Sequence, residues 1–430
     1  MHVAIVTAGG AGMYCGSCMH DNTWARGLME LGLEVSLIPT YTPIRVDEAN
    51  QSQPQVLLGG VNLYLDHTSA IWRRIPRALT RWLDRPWAIN LATRFGMSSD
   101  VERLGPLTVS MLQGRRGPHR RQVEEFAEFF GGGLQPDVVC LSNILLGGVL
   151  EPLKARFPGP VFCVLQGDDI FLDALQEPYR SQALELIRDH AQLCDGFLVH
   201  SEYYQRFMAR YLELDERLFH RLPLGIDLDG HDGSPAQAAQ GQDEFVVGYF
   251  ARICPEKGLR ELAQAFRILQ QRVPQARLRV GGYLKREHVR YFEDVRRSCR
   301  DWGFDFDHVG SPDTHATKVE YLKSLDVLSV PATYQEPKGL YVLEALANGV
   351  PVVQPDHGAF PELVERTAGG LLVAPGDPEQ LAVALERLFR EPATRRQMGA
   401  TGQQRVQAQF NMRVMAERSR DVFTEALAGK

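Results

Sequence analysis

PATYQEPKGLYVLEALANGVPVV, residues 331–353, reads from left to right as the close of a buried strand, a loop bracketed by Pro331 and Pro337, and a helix. The helix opens near Gly339 and stops at Asn348-Gly349, ahead of Pro351. Glu336 falls in the loop and Glu344 lies eight residues on, one turn into the helix. Pro337 biases Glu336 toward an extended backbone, so its carboxylate points out over the sheet edge. Two carboxylates beside a helix N-terminus, at the mouth of a parallel sheet, suit a ligand carrying both hydroxyls and phosphate. A nucleotide-activated sugar has that chemistry.

Working outward, short β-branched runs alternate with helical patterns along the whole chain. Strands are expected at 3–7, 35–39, 137–142, 161–166 and 196–201 in the first half, and at 245–250, 278–282, 326–330, 350–354 and 371–374 in the second. Such alternation implies an α/β fold of parallel sheets with crossover helices. The segment LPLGIDL, from Leu222, is expected to be the last strand and exit turn of the first domain. The domains are therefore expected at 1–228 and 244–410, joined by an Ala/Gly/Gln-rich linker at 229–243. An amphipathic helix at 411–430, with Val414, Met415, Val422, Phe423 and Leu427 as its apolar positions, closes the chain.

Three strand-to-helix loops gather polar groups. In GGAGMYCGSC, from Gly9 to Cys18, glycines such as Gly10 and Gly12 let the backbone approach a ligand closely. The spacing is not GxGxxG and no acidic residue closes the second strand, which argues against a dinucleotide cofactor. Cys15 and Cys18 form a CxxC near His20, but no second CxxC exists to complete a zinc site, and small side chains lining a cleft are the plainer reading. After the strand at 245–250, Arg252 and Lys257 bracket a proline turn before a helix starting near Leu259. Those cations and the positive helix end suit a diphosphate, and stabilising a departing diphosphate is the main electrostatic task in breaking a sugar–phosphate bond. The plainer alternative pairs them with Glu256 or Glu261. In VLQGDDIFLD, from Val164 to Asp173, Gln166, Asp168 and Asp169 stand where a strand end meets a ligand, although Asp169 is equally suited to capping the next helix. Two DxD triplets, at 227–229 and 305–307, lie outside convincing strand-to-loop positions, and no metal is expected.

Bulk properties narrow the class. At 430 residues the chain calls for two domains, and 44% apolar with 23% charged residues is ordinary for a soluble globular protein. A net charge of -6 argues against nucleic acid as a partner. No apolar run spans a bilayer, the N-terminus reads as a strand rather than a signal peptide, and seven scattered cysteines fit a reducing, cytoplasmic setting.

The ordered combination resembles glycosyltransferase family 4, the large retaining group with the GT-B fold. The resemblance rests on the Gly-rich first loop, Gly225-Ile226-Asp227, the R-x4-K loop at Arg252 and Lys257, and the E-x7-E loop at Glu336 and Glu344. It implies two Rossmann-like domains facing across a cleft, with the last helix crossing back to the first domain. It further implies that Arg252 and Lys257 grip the donor diphosphate, Glu344 binds the ribose hydroxyls, Glu336 contacts the transferred sugar, and backbone amides around Gly339 help hold the donor. Gln166 stands where the family commonly has His; it can donate to a sugar hydroxyl but cannot carry a proton. Lys338 stands where the family commonly has Phe, which raises the idea of an anionic sugar or acceptor, or of added grip on the diphosphate.

One local anomaly remains. Residues 69–97 carry six arginines and three tryptophans with a single acid, Asp84. Such a stretch suits a helix lying on an anionic membrane, with a lipid-linked acceptor as the corollary; the plainer reading is a helical excursion with core tryptophans and solvated arginines. The expected function is transfer of a hexose from a nucleoside diphosphate sugar to a hydroxyl acceptor, without metal or resident cofactor. The alternatives are a sugar-nucleotide epimerase on the same fold and a sugar-nucleotide-binding protein without turnover.

Overall fold

A computed structural model of the chain describes residues 1–9, 15–54, 56–58, 101–231 and 244–429. Gly10, Gly12 and the basic stretch at 69–97 lie outside the described residues, as does the linker sequence from 232 to 243. The chain divides into two compact units, Met1–Pro223 with Arg413–Lys430, and Leu224–Met412.

The first unit holds a parallel six-stranded sheet. Its strands are β1 (His2–Thr7), β2 (Glu34–Pro39), β3 (Val138–Leu141), β4 (Val161–Val164), β5 (Gly196–Val199) and β6 (Phe219–Arg221), ordered β2-β1-β3-β4-β5-β6. Strands β3, β4 and β5 are buried along their whole length, which is why they read as continuous apolar runs. The strand expected from Leu222 onward lies instead just upstream, in β6. His220 and Arg221 occupy that sheet edge, and an edge strand facing solvent has no need of an apolar run.

Helix α1 (Gly16–Glu30) packs Trp24, Ala25 and Leu28 beneath β1 and β2. The last helix, α5 (Met412–Ala428), belongs to this unit. Its Met415, Val422 and Phe423 are buried against Trp24 and Phe162, and the Trp24 indole donates to Ser419 Oγ at 2.8 Å. Burial of each such side chain contributes about 2 kcal/mol. The chain end thus returns to the first unit, as expected, with Val414 and Leu427 only partly covered.

The second unit repeats the plan with β7 (Phe245–Phe250), β8 (Ala276–Gly281), β9 (Asp307–Gly310), β10 (Val327–Leu328), β11 (Val352–Pro355) and β12 (Gly370–Val373), ordered β12-β11-β10-β7-β8-β9, all parallel. Strand β9 is a half-exposed edge strand without an apolar run, and the sequence reading passes over it. Between the strands run α2 (Leu259–Arg272), α3 (His315–Lys323) and α4 (Leu340–Ala347). Leu259, Leu262, Phe266 and Leu269 of α2 are buried, as their spacing predicts. Leu224 and Ile226 join this core, and the Ile226 amide donates to the Phe410 carbonyl at 2.9 Å. The passage between units therefore comes at Pro223-Leu224, ahead of the linker expected at 229–243.

Candidate functional site

In the second unit β10 lies between β7 and β11, and all three run parallel, so the loops leaving their C-terminal ends share one edge of the sheet. The loop after β7 carries Arg252 and Lys257, the loop after β10 carries Glu336 and Lys338, and the turn after β11 carries Gly358 and Ala359. Gly258, at φ +75°, turns the first loop into α2. A Cβ there would lie 1.9 Å from the Pro331 carbonyl oxygen, so only glycine allows the two loops this approach. The contact is sealed by the Thr333 amide donating to the Glu256 carbonyl at 2.9 Å. From the far side the Ala359 amide donates to the Glu336 carbonyl at 2.8 Å.

These backbone contacts bring Lys257 and Glu336, seventy-nine residues apart, into a buried ion pair with Nζ 2.5 Å from Oε2. The same Oε2 accepts from the Tyr334 hydroxyl at 2.8 Å and the Tyr341 hydroxyl at 3.0 Å. Lys257 also donates to the Tyr334 oxygen at 2.5 Å, and its ammonium sits 4.9 and 5.1 Å from the centres of the Tyr334 and Tyr341 rings. One cation thus lies among two aromatic rings and one carboxylate. Burial pushes the Glu336 carboxyl up, but the Lys257 charge and the three hydrogen bonds outweigh it and bring its pKa down to about 2. Burial and the Glu336 charge hold both phenols well above the usual tyrosine value, so they remain donors. Arg252 lies near enough for its charge to act on Tyr334, and its carbonyl accepts from the Tyr249 hydroxyl at 3.1 Å. Lys338 is buried in the same loop as Glu336.

Gly339, at φ +74°, is the N-cap of α4, as its place ahead of the apolar run predicts. Glu344 follows one turn later, buried, with Oε1 accepting from Lys318 Nζ of α3 at 2.8 Å. Asn348 donates to the Glu344 carbonyl and to His231 Nδ1, each at 2.9 Å. Burial, with the nearby His315 and Lys318, pushes His231 down to about 4 and keeps it neutral near pH 7.

The remaining sequence-derived positions lie in the first unit. Asp168 is buried and holds its own loop together: Oδ1 accepts from the Ile144 amide and Oδ2 from the Gln166 amide, each at 2.9 Å. Burial pushes its carboxyl up to about 6. The Gln166 side chain donates to Asp21 Oδ1 at 3.1 Å and to the Ser142 carbonyl at 3.3 Å. Asp21 Oδ1 also meets His20 Nδ1 at 3.1 Å, and the His20 ring lies 4.4 Å from that of His200. Asp169 accepts from the Tyr204 hydroxyl at 2.5 Å. Cys15 is the N-cap of α1 and Cys18 is a buried thiol, pushed up by its hydrogen bond to Cys15 and by burial. Of the DxD acids, Asp305 pairs with Arg296 and Arg300 and Asp307 with Arg279, while Asp227 accepts from the Asp229 amide.

Tyr334, Tyr341 and Lys318 are the site residues that the sequence reading missed. Tyr334 stands two residues before Glu336, so its nearness was present in the spacing. Lys318, twenty-six residues from Glu344 and on another helix, offered none.

Residues 233–405 match the family described as glycosyl transferases group 1. The match agrees with the family 4 resemblance carried by the R-x4-K and E-x7-E loops. A GDP-mannose-dependent monoacylated α-(1-6)-phosphatidylinositol monomannoside mannosyltransferase of Corynebacterium glutamicum is 28% identical over 219 residues, 48% of this chain and 56% of that protein. The capsular polysaccharide biosynthesis glycosyltransferase CapM of Staphylococcus aureus is 27% identical over 186 residues, 43% of this chain and 47% of its own. The chain spans about half the length of the curated relatives it matches. Among solved structures, sucrose-phosphate synthase from Thermosynechococcus elongatus aligns over 100% of both chains with TM-score 0.73 at 20% identity. Anabaena Alr3699/HepE in complex with UDP aligns over 99% of this chain and 100% of its own, with TM-score 0.68 at 16% identity. The group 1 domain and the sheet-bearing first unit thus have the GT-B fold.

Proposed function

We propose that the chain is a retaining glycosyltransferase that moves a hexose from a nucleoside diphosphate sugar to a hydroxyl acceptor. The observation that carries this reading is the buried contact of Lys257 with Glu336, made by loops from neighbouring parallel strands whose edge also presents the N-termini of α2 and α4. Arg252, Lys257 and the helix ends supply positive charge for the diphosphate, so the leaving group is neutralised without a metal or resident cofactor. Glu336, held ionised below the usual carboxylate range, accepts from the hydroxyls of the transferred sugar. When a diphosphate arrives, Lys257 serves both anions, and the tyrosine hydroxyls keep the carboxylate in place. Front-face attack, with the leaving phosphate taking the acceptor proton, needs no protein base, which is compatible with Gln166 being engaged with Asp21 and Ser142.

The basic, aromatic sequence at 69–97 favours an acceptor at an anionic membrane surface, either lipid-linked or a surface polysaccharide precursor. The names of the Corynebacterium and Staphylococcus relatives point the same way. The proposed association is peripheral, on the cytoplasmic face; no helix among the described residues is long and apolar enough to cross a membrane. Incubation with a panel of UDP- and GDP-sugars tests the reading. Release of nucleoside diphosphate is expected, with a Glu336→Gln variant losing far more turnover than nucleotide affinity. An epimerised sugar without release, or binding without turnover, overturns it.

A further inference from the structure

We infer that Lys318 is a positioning residue for the donor nucleoside: it fixes one oxygen of Glu344 so that the other is presented to a ribose hydroxyl. The inference rests on the nucleotide-sugar reading above and adds to it a residue that no motif contains. Lys318 is buried on α3, and its ammonium meets Glu344 Oε1 at 2.8 Å. A carboxylate offers about four acceptor positions. Oε2 of Glu344 takes no hydrogen bond from the described residues and, unlike the wholly buried Asn348 Oδ1, keeps some contact with solvent in a group only 5% exposed. A buried ion pair that serves packing alone is a poor use of two charges, because apolar side chains of the same volume stabilise a core at least as well. Here the pair holds a carboxylate that is half satisfied, on the first turns of a helix whose N-terminus borders the Glu336 loop.

The surroundings keep that geometry still. Asn348, one turn further on, ties the Glu344 carbonyl to His231, and Thr314 and Thr317 form a capping box that anchors the start of α3, three residues before Lys318. Lys318 cannot tilt away without leaving Glu344 buried and unpaired. The free oxygen is therefore an oriented acceptor for a hydroxyl donor, which a ribose has and a deoxyribose lacks at the corresponding position.

The test is calorimetric titration of the full chain with UDP and GDP and with their 2′-deoxy and 3′-deoxy counterparts, for wild type and Lys318→Met. The expected result is that wild type prefers the ribonucleotide over at least one deoxy form by about tenfold, the worth of one hydrogen bond to a charged group. In Lys318→Met the ribonucleotide should weaken by about that factor while the deoxy forms hardly change, so that discrimination collapses. Equal weakening of both forms would mean a merely structural role and overturns the inference. Should Lys318→Met fail to fold, Glu344→Gln carries the same expectation, and retained discrimination in that variant overturns it equally. Wild type that binds both sugars alike refutes the role of Lys318 but leaves the transferase reading standing. Wild type that binds no nucleoside diphosphate refutes both.

Discussion

Replacing Glu336 by Gln removes a charge and leaves the shape. In the wild type the folded-state carboxyl sits at about 2 against its usual 4.5. A fall of that size corresponds to about 3 kcal/mol of stability at pH 7, in line with the 3–5 kcal/mol typical of breaking a buried pair from one side. Lys257 would be left buried with no counterion on Oε2. For a domain of this size the melting temperature should fall by roughly 6–12 °C. Because the folded pKa lies below the unfolded one, the stabilisation is complete above pH 4.5 and is lost as the pH falls toward 2. The gap between wild type and Glu336→Gln should therefore shrink from about 3 kcal/mol at pH 7 to about 2 kcal/mol at pH 3.5. Urea unfolding followed by circular dichroism at the two pH values measures both gaps, and other acids cancel in the difference. A gap that is absent at pH 7, or unchanged at pH 3.5, refutes the ionised pair on which the site is built. Turnover of the variant must then be read below its own melting range.

Other perturbations follow from the same contacts. Tyr341→Phe keeps the ring beside Lys257 but deletes one of three donors to Glu336 Oε2; a loss of about 1–2 kcal/mol is expected in urea unfolding, and no loss means the hydroxyl does not serve the carboxylate. Asp168→Ala strands the buried amides of Ile144 and Gln166, so the first unit should lose about 2–4 kcal/mol; a neutral result would contradict the loop-holding role. Gly258→Ala forces a left-handed alanine and drives its Cβ into the Pro331 carbonyl, and at least about 2 kcal/mol of destabilisation with weakened diphosphate binding is expected. Wild-type affinity and stability in that variant would show that the two loops do not touch as described.

Much of this was legible in the linear chain because the physics is local. Continuous apolar runs mark β3, β4 and β5, which are covered on both faces, and the glycine ahead of an apolar run marks the start of α4 at Gly339. Proline and glycine limit backbone torsions within a residue or two, so loop boundaries around Glu336 could be read directly. Edge strands β6 and β9 escaped because solvent satisfies one side of them and polar residues suffice there.

By itself, then, the order of residues determined an α/β chain of two parallel sheets, the loops that carry Arg252, Lys257 and Glu336, the helix that carries Glu344, and an amphipathic last helix whose return only the family resemblance implied. Only tertiary structure decided the partners of those charges. That Lys257 faces Glu336 rather than Glu256 or Glu261, and that Lys318 meets Glu344, depends on which strands lie side by side. Charge pairing is short-ranged and acts through space, so residues seventy-nine positions apart become partners only once the sheet has set their loops on one edge.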